Sequence, residues 1–568
     1  MTSGAEAVAR ALREEGVERL FLFPGGTIAP TLNAWIDGGG AFVVARHEQG
    51  AGYAALAAGR LTGRPGVAMV TSGPGVTNLL TVIGDAWYDS TPLVAIAGQV
   101  STADLRGRPD VRQRGFQEVP TASLVAGIAK ACLRPMQPDE AAPALREAFA
   151  LARAGRPGPV LVDLPMDVQR GELSRPALAP RARAPAPPRE PSEPDFAALL
   201  ELLERSRRPL LLAGQGVLQS GAMEPLRGLA ERLAAPVVTS LLGVGALPAD
   251  HPLHFGYVGH TGCGWANRAL VACDLLLVLG ARLDVRQTGT RTEAFVPNGS
   301  LVRVDLDEAE LRQPRVEAAL SIRADAGAVL RRLLAEEHDP PKAERESWLA
   351  ALARWRREMP LDDFPPGAGC HPAELLRRVD RLTRGEELVV ATGVGHHQQW
   401  AARHLSFAAP RRVLLTSGGH GAMGYDLPSA VGAAFARPGA RVLCVVGDGS
   451  FQVNMQELGT IAEHRLPVKI LVLDNRRLAM VSQFQNLAFG RDPSTGRRPA
   501  FDFAGFARLY GFPAFSLAGE GDPVEETLVR FLAAEGPALL HARVDPACDI
   551  SPMLLSGQTL DAMWRWNA

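Results

Sequence analysis

The feature that most constrains this chain is a unit of apolar run, glycine turn, helical stretch and second apolar run, which occurs twice. In residues 67–96 the turn contains Gly73, and in residues 442–471 it contains Asp448 between two glycines. Such a unit reads as βαβ, in which two strands lie parallel in one sheet. It predicts open, mostly parallel α/β sheets. Because any two βαβ units look alike, the repetition supports a duplication only weakly.

The length of the chain and two breaks in its pattern predict three domains. A chain of 568 residues is too long for one hydrophobic core and fits about three. One segment is too rich in proline for a helix or central strand, and a second is interrupted by charges and paired prolines. We therefore predict three doubly wound, mostly parallel α/β domains joined by two linkers. The predicted domains are residues 1–172, 195–336 and 373–568, and the predicted linkers are residues 173–194 and 337–372.

The composition excludes several classes of protein. A net charge of −1 gives no electrostatic case for nucleic acid or an anionic membrane as a partner. The longest apolar runs are far shorter than a membrane-spanning helix, and the first residues have no signal-peptide pattern. The six cysteines have no metal-binding or redox spacing, which is typical of buried thiols in a reducing compartment. We expect a cytoplasmic protein with no nucleic-acid or membrane partner.

Two polar residues follow neighbouring apolar runs in the last predicted domain. Asp448 comes directly after one run and Asn475 lies just past the next, with 24 residues between Gly449 and Asp474. The carboxyl ends of parallel strands meet at one edge of a sheet, so we expect these side chains close together. Their oxygens suit Mg²⁺, and the glycines let a backbone approach the diphosphate that such a cation would neutralise. A glycine turn taken alone is more often an ordinary turn.

A carboxylate near the start of the chain completes a wider pattern. Glu48 follows an apolar run and lies between His47 and Gln49, in the run Arg46 to Gly50. Taken alone it would be a helix N-terminal charge. Together with the Asp448 and Asn475 motifs, however, this run resembles the signature of thiamine diphosphate enzymes, in particular the acetolactate synthase family. The resemblance extends through nearly the whole chain.

The resemblance implies thiamine diphosphate (ThDP) and Mg²⁺ as cofactors. Glu48 is implied to be catalytic, because in the family this glutamate hydrogen-bonds the aminopyrimidine ring and favours the tautomer that takes the thiazolium C2 proton. The implied metal ligands are Asp448, Asn475 and the backbone carbonyl of Arg477. The implied ThDP-binding residues are His397, Gln398, Gly421, Met423, Gly449, Ser450 and Met480. Since the first and third domains each hold half of the site, the family pattern also implies a homodimer or homotetramer with the active site between subunits.

The middle domain resembles the flavin-binding domain of the same family. Residues 155–163 match a run whose arginine contacts FAD in the family, and the glycines and acids at strand ends suit pyrophosphate and ribose groups. Any doubly wound domain contains such residues, so this pattern alone is not specific. The resemblance implies a largely structural FAD. Its implied contacts are Arg156, Gly214, Gly216, Gly280, Arg282 and Asp305.

The substrate residues are implied by resemblance as well. Arg286 stands where the family's arginine meets the acceptor's carboxylate, a role that bidentate pairing suits, although a surface ion pair is the alternative. The chain departs from the family at several places: His396 stands for a glutamine in the phosphate-side loop, and on the substrate side Met166 stands for a lysine and Phe484 for a tryptophan. The departures leave the acceptor open. The implied substrate residues are Gly26, Phe116, Gln117, Arg286 and Phe484.

The expected reaction is a decarboxylating carboligation. Pyruvate or a close 2-oxo acid loses carbon dioxide, and its acetyl unit is joined to a second carbonyl compound, by default another pyruvate to give 2-acetolactate. One alternative is transfer to another ketone, such as a keto sugar or a natural-product intermediate. Another is a pyruvate oxidase-like flavoenzyme that passes electrons to FAD.

Overall fold

The computed structural model describes residues 2–105, 110–174, 187–337, 342–362, 369–492, 500–519 and 521–566. Within these ranges, the strands form three separate sheets of six strands each, and every pairing between neighbouring strands is parallel. The predicted fold class, three mostly parallel α/β sheets, is therefore confirmed.

The first sheet and its helices occupy the N-terminal part of the chain. The strand order is β2-β1-β3-β4-β6-β5. The elements are α1 (Gly4–Glu14), β1 (Arg19–Leu22), α2 (Ala29–Asp37), β2 (Ala41–Val44), α3 (Glu48–Thr62), β3 (Gly66–Val70), α4 (Pro74–Tyr88), β4 (Leu93–Gln99), α5 (Thr102–Leu105), α6 (Thr121–Val125), β5 (Ala131–Leu133), α7 (Pro138–Arg153), β6 (Pro159–Pro165) and α8 (Met166–Arg170).

The middle sheet has a different strand order, β12-β11-β10-β7-β8-β9. Its elements are α9 (Glu193–Arg205), β7 (Pro209–Ala213), α10 (Gln215–Gln219), α11 (Met223–Leu233), β8 (Val237–Thr239), β9 (His254–Tyr257), α12 (Gly264–Ala272), β10 (Leu275–Leu279), α13 (Val285–Thr288), β11 (Ser300–Asp305), α14 (Glu308–Arg312), β12 (Leu320–Arg323) and α15 (Ala326–Ala335).

The third sheet has the strand order β14-β13-β15-β16-β18-β17, which repeats the connectivity of the first. Its elements, after the connecting helix α16 (Lys342–Glu358), are α17 (Pro372–Leu382), β13 (Leu388–Thr392), α18 (His396–His404), β14 (Arg412–Thr416), α19 (Asp426–Ala436), β15 (Arg441–Gly447), α20 (Asp448–Phe451), α21 (Leu458–Glu463), β16 (Val468–Asp474), α22 (Ala479–Phe489), α23 (Phe503–Leu509), β17 (Ala514–Leu517), α24 (Val524–Ala533) and β18 (Ala538–Arg543).

The central strands are continuous apolar runs because both of their faces are buried. In β3, Val67 and Met69 pack into a cluster on one face, whereas Ala68 and Val70 pack into a cluster on the other. Side chains of a strand alternate between the two faces, and helices cover both faces of a doubly wound sheet, so every position must be apolar. This explains why the strands lack the polar alternation of a half-exposed sheet.

The first and third sheets share one core, with α3 and α19 packed against each other between them. A Cβ atom at Gly432 would lie 2.0 Å from the carbonyl oxygen of Ala54, so the close approach of these helices requires glycine. The rings of Tyr53 and Tyr425 meet edge to face across the same contact, with centroids 5.0 Å apart. The two sheets are thereby held in a fixed relation within one chain.

The two predicted linkers differ in structure. Residues 175–186 of the first lie outside the described ranges, residues 187–192 contain no helix or strand, and α9 begins at Glu193 with Pro194 in its first turn. The second contains the helix α16, whose Trp348, Leu352 and Trp355 are buried against the middle and third sheets. The domain boundaries themselves stay a prediction. Among the described helices, none is both long and apolar enough to span a bilayer.

Candidate active site

The predicted metal ligands meet at the carboxyl edge of the third sheet. Gly447 of β15 lies opposite Leu473 of β16, so the residues that follow these strands emerge side by side. Asp448 is 4% exposed and Asn475 is 6% exposed. The parallel register, rather than closeness in sequence, brings the carboxylate and the amide together. The predicted juxtaposition is present.

A cavity of about 550 Å³ opens at this edge. Its volume is in the range of small-molecule and cofactor sites. It gathers most of the residues predicted to bind metal and ThDP, together with two of the predicted substrate residues. From these sets, the lining contains Arg286, His397, Gly421, Met423, Asp448, Gly449, Ser450, Asn475, Arg477, Met480 and Phe484.

A buried polar network supports the floor of this cavity. Nε2 of His397 lies 3.1 Å from Oδ1 of Asp426, and Asp426 also accepts hydrogen bonds from the Ser450 hydroxyl and the Gly393 amide. The backbone packs tightly around the imidazole, since a Cβ atom at Gly447 would lie 2.9 Å from Nδ1 of His397. The network fixes two predicted ThDP-binding side chains in one orientation. Sequence reasoning missed Asp426, whose only signal is an acid at the start of an apolar helix.

The donor set at the sheet edge fits Mg²⁺. No group of three or more His, Cys, Asp or Glu side chains suited to a metal occurs in the described part of the chain, so a cation here would need mixed oxygen donors. The Arg477 guanidinium is turned away, with its Nη2 donating to the Ser482 hydroxyl at 2.6 Å. The Arg477 amide donates to Oδ1 of Asn475 at 3.1 Å. The turn that orients the Asn475 amide oxygen also contains the predicted third ligand, the backbone carbonyl of Arg477.

Glu48 is placed differently from the metal ligands. It is the first residue of α3 and is 5% exposed, and its Oε2 accepts a hydrogen bond from Nδ2 of Asn78 at 2.9 Å. His47 caps the helix, its Nδ1 accepting from the Gln49 amide at 3.1 Å. Yet Glu48 does not line the 550 Å³ cavity of its own chain. The carboxylate is thus buried and oriented, but apart from Asp448 and Asn475.

The predicted substrate residues divide in the same way. Arg286 and Phe484 line the cavity, whereas Gly26, Phe116 and Gln117 do not. Phe116 is 85% exposed, and Gln117 has a φ of 66° in a loop of the N-terminal region. A single chain therefore does not bring all of the predicted site together.

A second cavity, of about 740 Å³, lies where all three regions meet, and it contains most of the predicted FAD residues. A Cβ atom at Gly216 would lie 2.8 Å from Cα of Gly280, so glycines are needed where these strand ends cross. Gln398, predicted to bind ThDP, lines this cavity instead, and its amide donates to the Thr416 hydroxyl at 2.7 Å. Of the predicted FAD residues, the lining includes Arg156, Gly216, Gly280, Arg282 and Asp305, while Gly214 packs behind Gly280.

The charges around this second cavity are already partly paired. Nη1 of Arg156 lies 2.8 Å from Asp307 and 3.0 Å from Glu310, and its Nε donates to the Ser90 hydroxyl. Burial raises the pKa of the Asp305 carboxyl above its ordinary value. The size of the cavity, the glycine crossing and an acid at a strand end fit a dinucleotide. Arg156, however, shares its charge with two carboxylates.

Two histidines of the first cavity have no role in the predicted site. His396 is buried beside the Trp400 ring and lines the 550 Å³ cavity. Burial, and next the Arg477 charge, lower the pKa of His396 to about 3, so the ring is neutral at physiological pH. His260 lines both cavities. The only sequence signal at His396 was its departure from the family's glutamine.

Matches to family models identify the class of enzyme to which the chain belongs. Family models of thiamine pyrophosphate (diphosphate) enzymes match along the chain: the N-terminal TPP binding domain at residues 2–124, the central domain at 196–333 and the C-terminal TPP binding domain at 393–542. The chain is a thiamine diphosphate-dependent enzyme.

Curated relatives narrow the class to one family. A probable acetolactate synthase large subunit of Methanocaldococcus jannaschii is 38% identical, over 98% of this chain and 94% of the relative. The acetolactate synthase isozyme 2 large subunit of Escherichia coli is also 38% identical, over 99% of both chains. The chain belongs to the acetolactate synthase family of ThDP-dependent carboligases.

Proposed function

We propose that the protein transfers the acetyl unit of pyruvate to the carbonyl carbon of a second 2-oxo acid, with another pyruvate as the default acceptor and 2-acetolactate as the product. The observation that carries this proposal is one cavity that joins Asp448 and Asn475 to Arg286 and Phe484. A carboligase needs its cofactor anchor and its acceptor groups on the same cavity. The relatives named acetolactate synthase support the same reaction.

The residues of the chain would divide the work. Asp448, Asn475 and the Arg477 carbonyl would hold Mg²⁺ against a diphosphate, and the His397–Asp426–Ser450 network would orient its surroundings. When bound, ThDP would supply the nucleophilic carbon that decarboxylation of the donor and transfer of its acetyl unit require. The Arg286 guanidinium would bind the acceptor carboxylate, whose position sets the carbonyl in line for attack.

The active site is proposed to lie between two subunits of a homodimer or of a homotetramer. Glu48 and the exposed Phe116 lie outside the cavity of their own chain, which supports their delivery to the cavity of a partner. Glu48 would there hold and exchange a proton with the aminopyrimidine ring. The name "large subunit" carried by the relatives describes those proteins as parts of assemblies.

FAD is proposed as a second, largely structural cofactor in the 740 Å³ cavity. Support comes from the size of the cavity and from the Gly216–Gly280 crossing. We also propose a cytoplasmic location, supported by six cysteines that are all free thiols. Absorbance of the supernatant after heat denaturation of the purified protein tests the flavin. A yield well below one flavin per chain, even after incubation with FAD, contradicts that part of the proposal.

Product analysis tests the reaction. Purified protein with ThDP, Mg²⁺ and pyruvate labelled with ¹³C is expected to release carbon dioxide and form doubly labelled 2-acetolactate, seen by mass spectrometry. The matched control is Asp448→Ala under the same conditions. Carbon dioxide release without a ligation product, accompanied by anaerobic reduction of flavin at the turnover rate, would instead indicate an oxidase.

Mixed subunits test the site between chains. Glu48→Gln and Asp448→Ala proteins, each inactive alone, are dissociated, combined and reassembled. In a mixed dimer one site carries both defects and the other carries neither, so activity is expected to return toward about a quarter of the wild-type value. A mixture that remains as inactive as its components means that Glu48 serves its own chain.

A further inference from the structure

His260 occupies the boundary between the two cavities. It lines both of them, together with Arg286, Val394 and Gly421. Its backbone is held on two sides, since its amide donates to the carbonyl oxygen of Arg286 at 2.6 Å and its carbonyl oxygen accepts from the Leu554 amide at 2.7 Å. The histidine is therefore fixed in place by its main chain, and its ring is not needed for that purpose.

In the described part of the chain, the His260 ring has no hydrogen-bond partner and the Arg286 guanidinium has only a weak one. Nδ1 of His260 is buried without a hydrogen bond, and within the described residues no protein group bonds the ring. Burial, and then the Arg286 charge, lower the pKa of His260 to about 4, so the ring is a neutral donor and acceptor. The Arg286 guanidinium forms no ion pair in the same ranges, and the only hydrogen bond from its side chain there is to Sδ of Met480 at 4.0 Å.

The remaining wall of the acceptor side is apolar. Met480, Phe484 and Met553 line the 550 Å³ cavity together with His260 and Arg286. A buried polar atom without a partner is costly, and a ligand that supplies the missing hydrogen bond gains affinity over one that cannot. Arginine beside a neutral imidazole can hold a carboxylate and one further polar group at the same time.

From this arrangement we infer that, among acceptor 2-oxo acids larger than pyruvate, the site prefers one with a hydrogen-bonding group, such as a hydroxyl, on the carbon beside its carbonyl, and that His260 binds that group. The inference rests on the proposed carboligase function and names the substrate class of the same site. An alkyl group at this position would leave the imidazole unpaired, whereas a hydroxyl would pair with it.

A competition between two acceptors of nearly equal size tests the inference. 3-Hydroxypyruvate and 2-oxobutyrate differ in a hydroxyl and a methyl group, and both compete for acetyl units from ¹³C-labelled pyruvate in one mixture. The measured quantity is the ratio of the two labelled products, which does not depend on the total rate. The wild-type protein is expected to favour 3-hydroxypyruvate by at least about tenfold over the ratio given by His260→Met, in which the hydrogen-bonding ring is lost.

His260→Gln is the matched control, because it keeps a donor and an acceptor and is expected to retain most of the wild-type ratio. Equal ratios for the wild-type and His260→Met proteins overturn the inference while carbon dioxide release continues. A change in the flavin absorption spectrum of His260→Met without a change in product ratio also overturns it, and assigns the ring to the second cavity. Absence of carbon dioxide release from pyruvate in the wild-type protein refutes the proposed function itself, and the inference with it.

Discussion

The first and third sheets share a strand order but carry different chemistry at the same topological place. After β3 of the first sheet, the Thr71 and Ser72 hydroxyls are engaged by Thr27, with Oγ1 of Thr27 and Oγ1 of Thr71 2.9 Å apart. After β15 of the third sheet, Asp448 opens onto a cavity beside Asn475. One sheet edge satisfies its polar groups internally, and the other presents hard oxygen ligands.

The difference teaches that the fold supplies a position and the turn residues supply the chemistry. Parallel sheets place the ends of neighbouring strands together wherever they occur. The third sheet places the Asp448 carboxylate and the Asn475 amide oxygen there, so it can anchor a cation and a diphosphate. The first sheet contributes a different group, the carboxylate of Glu48 at the start of α3. Substitutions at Glu48 and at Asp448 are therefore expected to impair the enzyme in different ways.

The largest effect is expected from Glu48→Gln, at the start of α3 beside the first sheet. The amide cannot exchange a proton with the cofactor ring, so turnover should fall by roughly 100- to 10,000-fold, the usual range for a lost general acid or base. ThDP affinity should change little. The measurement pairs C2 proton exchange by NMR with cofactor titration. Wild-type exchange and turnover in the variant would refute the role given to Glu48.

Asp448→Ala, at the carboxyl edge of the third sheet, should weaken cofactor binding instead. The bridging cation loses its anionic ligand, so the affinities for Mg²⁺ and ThDP should weaken together by about 100-fold, or about 2.7 kcal/mol. Titration in magnesium-buffered solution measures both. Ser72→Ala is the matched change at the corresponding turn of the first sheet and should leave the Mg²⁺ dependence unchanged. If Asp448→Ala and Ser72→Ala lose Mg²⁺ and ThDP affinity equally, the two sheet edges do not differ in cation binding.

Phe484→Trp should alter the acceptor step more than the donor step. Phe484 is 48% exposed at the cavity, and a larger indole there would change the space for the second substrate. The ratio of pyruvate to 2-oxobutyrate used as acceptor should shift by about tenfold, or about 1.4 kcal/mol. Single-turnover decarboxylation supplies the control. If decarboxylation falls as far as ligation at a constant acceptor ratio, Phe484 does not shape the acceptor pocket.

The smallest effect is expected at a lysine-to-carbonyl hydrogen bond that occurs beside both the first and the third sheets. The Lys469 ammonium donates to the carbonyl of Gly536 at 2.6 Å, and Lys130 donates to that of Arg156 at 2.9 Å, in each case just after a helix. Burial, and next the Arg441 charge, lower the pKa of Lys469 to about 8.

Between that value and the ordinary pKa of a lysine, about 10.4, the unfolded chain binds more protons than the native one, so stability gains from Lys469 as pH rises. Chemical unfolding of wild type and Lys469→Met at pH 7 and pH 10 should show the difference between them growing in favour of wild type. A constant difference would mean that the burial of Lys469 does not affect its ionisation.

Much of the fold could be predicted from local sequence. The apolar runs and glycine turns indicated parallel sheets, because a strand buried on both faces has to be apolar throughout. The helix α16 within the second predicted linker was not predicted, since its charged surface hides the three buried side chains Trp348, Leu352 and Trp355. The shared strand order of the first and third sheets could only be suspected from the two repeated turns.

The same distinction between sequence and tertiary structure holds for the active site. By itself the sequence determined which residue types are available for the site, because Asp448, Asn475 and Glu48 lie in motifs whose chemistry depends on residue identity and spacing. Only the tertiary structure decided which of them share a cavity. It brought Asp448 and Asn475 together, left Glu48 apart, and added His260 and Asp426, which no motif marks. The cavity wall joins residues as far apart as His260 and Met553, and the hydrogen-bond partners of Asp426 lie 24 to 33 positions away, so a linear pattern does not encode their meeting.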